Sequence, residues 1–121
     1  MMATYQFSLD QRQLGYLTLA LRLTGGPSGA LERKKISEMV TDLNKAGRYP
    51  ANLSCSYEEL VALRNGIIHT ANRQEISDGE TVILVEAAKA MRIMSWVSPH
   101  LPKIELPKEE LVLDPAPELD P

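Results

Sequence analysis

Arg64, Asn65 and His69 stand close together in residues 57–72, Y-E-E-L-V-A-L-R-N-G-I-I-H-T-A-N, which gather a guanidinium, an amide and one of only 2 histidines in a chain of 121 residues. Arginine supplies a planar, permanently charged fork, and histidine is the side chain that ordinarily exchanges a proton near neutral pH. Residue types of this kind suit proton transfer beside a negatively charged group. On a helix, Leu60, Ile67, Ile68 and Ala71 fall on one apolar stripe, and Arg64, four residues from both Leu60 and Ile68, falls on it too. An arginine is almost never fully buried without a partner. Arg64 must therefore snorkel, pair with an acid such as Glu86, or face an interface or cleft. Asn65 and His69 are four apart and share a neighbouring face. At roughly 100° per residue, Arg64 and His69 project about 140° apart. They can converge on one target through the length of the arginine, through a helix weakened at Gly66, or through a second chain that completes the site.

The helix that carries them starts where Ser56 and Glu59 form a capping box, the Ser hydroxyl accepting from a first-turn amide and the Glu reaching back to the cap amide. Upstream, Ser8 with Gln11 predicts a first helix from about Leu9 to Thr24, with Leu14, Leu17, Ala20 and Leu21 as its stripe. Gly25-Gly26-Pro27-Ser28 ends it. A second helix, about Gly29 to Ala46, places Ile36, Met39, Val40 and Leu43 at helical spacing, with Gly47 as a left-handed stop. Its triplet Arg33-Lys34-Lys35 reads as a solvated face, or more sharply as a phosphate-contacting patch. Ser77 with Glu80, or Asp78, caps a fourth helix, with Ile83, Ala87, Ala90, Met91, Met94 and Val97 on one stripe and an end near Trp96 or Ser98. No strand-like alternation of useful length stands out. The spacing therefore predicts an all-α domain, an antiparallel four-helix bundle over residues 1–98.

Residues 99–121 differ in composition, holding 6 of the 8 prolines and 6 acidic against 2 basic residues. Such a stretch is expected to be an extended or disordered acidic tail. Its apolar residues, Leu101, Ile104, Leu106 and Leu111-Val112-Leu113, exceed what solubility requires and suit docking on a groove of this chain or of a partner protein. The tail hides the charge of the body: the whole chain is at −3, but residues 1–98 carry 11 basic and 10 acidic groups. A near-neutral body argues against generic affinity for nucleic acid backbone and leaves room for a small local site. The lone cysteine, Cys55, excludes an intrachain disulfide, no Cys/His spacing suggests zinc, and no cofactor is called for. The opening M-M-A-T-Y-Q-F-S lacks the pattern of a secretory leader, and no run reaches the apolar length of a membrane span, so a cytoplasmic protein without membrane contact is expected.

Arg64-Asn65-Gly66-Ile67-Ile68-His69 resembles the signature of the HEPN superfamily: an Arg, commonly followed by a polar residue such as Asn, then a His after a short spacer. The likeness to that family's toxin branch runs on from Leu63 through a polar loop to Gly79 and an amphipathic helix to Val97. Where many toxin-branch members carry a Tyr two residues after the His, this chain has Ala71. The resemblance implies a helical bundle and metal-independent cleavage of RNA, in which the ribose 2′-OH attacks the adjacent phosphodiester. It further implies that His69 acts as general acid or base, that Arg64 stabilises the charge on the phosphorane oxygens, and that Asn65 orients the His or the phosphate by hydrogen bonds. HEPN proteins commonly pair so that two motifs face a shared cleft, which implies a homodimer. From a different class comes a non-enzymatic adaptor or inhibitor that grips a partner protein through the tail or a helix face.

Overall fold

Residues 4–9, T-Y-Q-F-S-L, alternate in polarity, and the chain uses that period of two. Thr4–Leu9 is a strand, β1, in the computed structural model, which describes residues 4–73 and 75–100. Ala51–Ser56 forms β2 and pairs with it antiparallel, with Tyr5 opposite Cys55, Phe7 opposite Leu53 and Leu9 opposite Ala51. Phe7, Leu9, Ala51, Leu53 and Cys55 are buried, whereas Gln6 and Ser54 stand on the exposed face, joined at 2.7 Å from Ser54 Oγ to Gln6 Oε1. This ribbon corrects the all-α expectation: the protein is mostly helical with a small two-stranded sheet. It also takes Ser8, paired opposite Asn52, away from the cap position assigned to it. Asp10 caps instead, accepting from the Gln13 amide at 2.8 Å while Gln13 Oε1 accepts from the Asp10 amide at 2.9 Å, and α1 runs over Gln11–Leu23.

Helix α2 spans Ala30–Ala46 and stops, as its sequence indicates, on Gly47 in the left-handed region. Helix α3 spans Tyr57–Ala71 and opens on the expected box, with Ser56 Oγ accepting from the Glu59 amide at 3.1 Å and Glu59 Oε1 from the Ser56 amide at 2.7 Å. Ser77 and Glu80 make a third box at the start of α4, Asp78–Ala90. Here the expected single helix to Trp96 or Ser98 is corrected. The chain turns at Met91 and Arg92, the latter at φ 58, and resumes as α5, Met94–Val97, followed by a 3₁₀ turn over Ser98–His100. A tertiary contact holds the turn: the Arg92 guanidinium lies 4.7 Å over the Phe7 ring and its Nη2 donates to the Gln6 carbonyl at 2.9 Å.

Among the described residues, five helices and a ribbon therefore replace the four-helix bundle. Helix α1 packs on α4 and α2, and α3 packs on α2. Leu14, Leu17, Ile36, Leu60, Leu63, Ile67, Leu84 and Met91 are fully buried between them. Each such side chain contributes about 1.5–3 kcal/mol of burial free energy, so α3 is fixed mainly by its own apolar face. Among the described residues no helix is long and apolar enough to cross a membrane. Pro99 lies in the 3₁₀ turn, and the rest of the expected tail, residues 101–121, lies outside the described residues.

Candidate functional site

Among the described residues, the charged side chain that is buried is that of Arg33, not Arg64. Arg33, from the triplet read as surface or phosphate patch, is 6% exposed, whereas its neighbours Lys34 and Lys35 remain exposed. Its guanidinium is caged by main-chain carbonyls: Nη1 donates to Ser28 at 2.6 Å and to Ala62 at 3.0 Å, and Nη2 donates to Gly26 at 2.7 Å and Gly25 at 3.2 Å. Burial pulls the Arg33 proton affinity below its ordinary value, a trend that the Glu32 carboxylate opposes. The physical role is clear from the partners. The link of residues 24–29 between α1 and α2 has little side chain with which to pack, and it is held instead by its carbonyls wrapped on one buried cation.

Helix α3 presses on this cage at Gly66. A Cβ there would come within 2.8 Å of Arg33 Cδ, 3.0 Å of Nε and 3.1 Å of Nη1, so a glycine is what lets the two helices close. Gly66, read from the sequence as a weak point of the helix, is a contact point with α2. Thr70, fully buried one turn on, accepts from the Gly25 amide at 3.1 Å and donates to the Leu23 carbonyl at 3.5 Å. Arg33, Gly66 and Thr70 together lay the Gly-rich link along one edge of α3.

Of the three sequence-predicted residues, Asn65 and His69 stand along that edge and Arg64 stands beside it. Arg64 is half-buried, as a stripe position between Leu60 and Ile68 requires, and its fork turns sideways onto its neighbour, Nε and Nη2 donating to Asn65 Oδ1 at 3.2 and 2.9 Å. Glu86, the acid considered as its partner, instead pairs with Lys89 at 3.1 Å and Arg12 at 3.6 Å. Asn65 Nδ2 donates to Ser28 Oγ at 3.3 Å. One turn further, exposed His69 lies against Gly26, so close that a Cβ on this glycine would approach its Cγ to 3.0 Å and its Nδ1 to 3.3 Å. At φ 97, Gly26 has the backbone of a glycine position in any case. Arg64 and Asn65 are thus joined directly, while Asn65 and His69 are brought together only by meeting the same link. The fork reaches along the Asn65 edge, which offsets part of the angle that separates Arg64 from His69.

Ser28 and Gly26, read from the sequence only as a helix end, and Arg33, read as a solvated face or phosphate patch, are members of this site whose role the sequence did not assign. The signal was present in T-G-G-P-S-G followed by a helix: a link of small residues exposes carbonyls, and a cation four residues past its end can collect them. Chemically, the edge offers two amide or hydroxyl groups, one fork and one imidazole, open to solvent and backed by a rigid cage. Among the described residues no three of His, Cys, Asp and Glu are grouped to hold a metal ion. Comparison with protein-family models, curated proteins and solved structures finds no match to this chain.

Proposed function

We propose that the chain is a HEPN-like endoribonuclease that cleaves RNA by attack of the ribose 2′-OH, with Arg64, Asn65 and His69 as its catalytic residues. The observation that carries this reading is the turn of the Arg64 fork onto Asn65 Oδ1, which draws the permanent positive charge towards the edge where His69 is exposed. In the reaction the 2′-oxygen bonds to phosphorus as a base takes its proton. The P–O5′ bond then breaks, the 5′-oxygen gains a proton, and a 2′,3′-cyclic phosphate remains. His69 has the chemistry to exchange one of these protons, and the Arg64 fork to stabilise the additional negative charge on the phosphorane oxygens, where a fixed donor acts more strongly than water. Asn65 holds the fork, and Ser28 holds Asn65.

A second copy completes the site in this reading. Tyr57, Val61, Arg64 and Ile68 share one helical stripe of α3, and Tyr57 is exposed while Val61 and Ile68 are half-buried. Two such stripes in contact would set two Arg64–His69 edges about one cleft. The test incubates purified protein with mixed-sequence, end-labelled single-stranded RNA in EDTA, beside Arg64→Ala and His69→Ala. Cleavage by the parent and not by either variant supports the proposal. Equal cleavage by all three, or none by the parent, refutes it and turns attention to a partner protein. Sedimentation at tens of micromolar tests the pairing separately, and a monomer there removes the shared cleft.

A further inference from the structure

Helices α1 and α2 run antiparallel, because Thr18 meets Asn44 while the end of α1, at Gly25 and Gly26, meets Arg33. Their outer edges leave a groove of about 540 Å³ lined by Gly15, Thr18, Leu19 and Arg22 of α1 and by Asn44 and Lys45, with Thr41, of α2. Three features set its character. Gly15 leaves it open, since a Cβ there would meet nothing within 4 Å. Leu19 gives it an apolar surface and is 42% exposed. Arg22 and Lys45 give it two cations and no carboxylate lines it; among the described residues neither cation is held in an ion pair. Arg22 lies one turn beyond Thr18, and Lys45 one residue beyond Asn44 in the opposite direction. The cations are therefore staggered along the groove by about 7 Å.

We propose that this groove is the docking site for the chain's own segment Glu109-Glu110-Leu111-Val112-Leu113-Asp114. That segment is an apolar centre flanked on both sides by carboxylates, the complement of an apolar groove with a cation towards either end. The fit is selective within the chain. Elsewhere in residues 101–121 the apolar positions are single, whereas here three are consecutive. Reach is sufficient as well. The last described turn follows α5, which packs on α4, and α4 packs on α1. Two helix spacings are about 20 Å, and nine residue steps from His100 to Glu109 extend to about 30 Å. Docking there covers Leu19 and occupies the space that Gly15 leaves, without touching Arg64, Asn65 or His69. The inference does not depend on what those residues do.

The test uses the full chain, labelled with ¹⁵N and carrying a nitroxide on Ala116→Cys; fully buried Cys55 stays unlabelled in the folded protein. The amide signals of Gly15, Thr18, Leu19, Asn44 and Lys45 should be lost to paramagnetic broadening and return on reduction of the nitroxide. Arg22→Glu with Lys45→Glu, both at exposed positions, should restore those signals without reduction. Adding Glu109→Lys with Glu110→Lys to that variant should bring the loss back. Broadening centred elsewhere, or groove signals indifferent to the charge reversal, overturns the proposal. So does broadening that appears when labelled and spin-labelled chains are separate molecules, which would assign the groove to a second copy.

Discussion

Gly66→Ala should destabilise the protein, although helix propensity alone says the opposite. In the middle of α3 alanine is favoured over glycine by about 1 kcal/mol. Against this, the new Cβ would lie 2.8 Å from Arg33 Cδ and 3.0 Å from Nε. A free arginine would move aside at little cost, but this one is tied to the carbonyls of Gly25, Gly26, Ser28 and Ala62. Displacing the fork enough to break one or two of these bonds costs about 1.5–3 kcal/mol each, since hydrogen bonds to charged groups are the stronger class. The net expectation is a loss of about 2 kcal/mol, or a fall in Tm of about 8 °C for a domain of this size. Urea and thermal unfolding followed by circular dichroism give the number. In an Arg33→Ala background the obstacle is gone, and the same Gly66→Ala change should be neutral or should stabilise by up to about 1 kcal/mol, a change of sign that reports the coupling. A stabilising Gly66→Ala in the parent, or equal effects in both backgrounds, would refute the reasoning that Arg33 fixes the approach of α3.

The remaining predictions concern the edge of α3 and the core beneath it. Gly26→Ala puts an L side chain at φ 97 and against His69; it should cost about 1–3 kcal/mol and shift the imidazole resonances of His69 in NMR spectra. Arg64→Lys keeps the charge and loses the two-pronged bond to Asn65; stability should stay within about 0.5 kcal/mol of the parent, while cleavage, if the proposed function holds, falls at least about tenfold. Ser56→Ala removes the α3 cap and should cost about 1 kcal/mol in the same unfolding measurements. Burial pushes the Cys55 thiol up from 9.0 to about 12, with the Glu59 carboxylate adding to the shift. Its folded pKa lies above the unfolded one, so the stability contribution is intact below pH 9 and is lost as pH rises towards 12. Unfolding free energy should therefore fall across that window, and less steeply in Cys55→Ala.

What the sequence revealed divides along physical lines. Local signals were legible: the Ser56 and Ser77 boxes, the Gly47 stop and the buried Leu60 and Ile67 of α3 depend on residues within one or two turns of each other, whereas Ile68 and Ala71 of the expected stripe are half-buried and Leu63 and Thr70 are buried in their place. The ribbon was not, although T-Y-Q-F-S-L and A-N-L-S-C-S both alternate. Each strand is 6 residues long, no hairpin turn links them, and Ser8 with Gln11 imitates a helix cap. Nor was the break at Arg92 legible, because no glycine or proline marks it and the contacts that hold it come from Phe7 and Gln6 at the far end of the chain. At the candidate site, the types and spacing of Arg64, Asn65 and His69 were readable, whereas their setting was not. The lysines beside Arg33 disguised it as surface, and its burial is decided by carbonyls of the link and of α3.

The most direct measurement of the central claim compares end-labelled single-stranded RNA with its 2′-O-methyl counterpart, each incubated in EDTA with the parent protein and with His69→Ala. The account predicts fragments ending in 2′,3′-cyclic phosphate from the unmodified RNA and the parent alone. Cleavage of the 2′-O-methyl strand, or undiminished cleavage by His69→Ala, would contradict it.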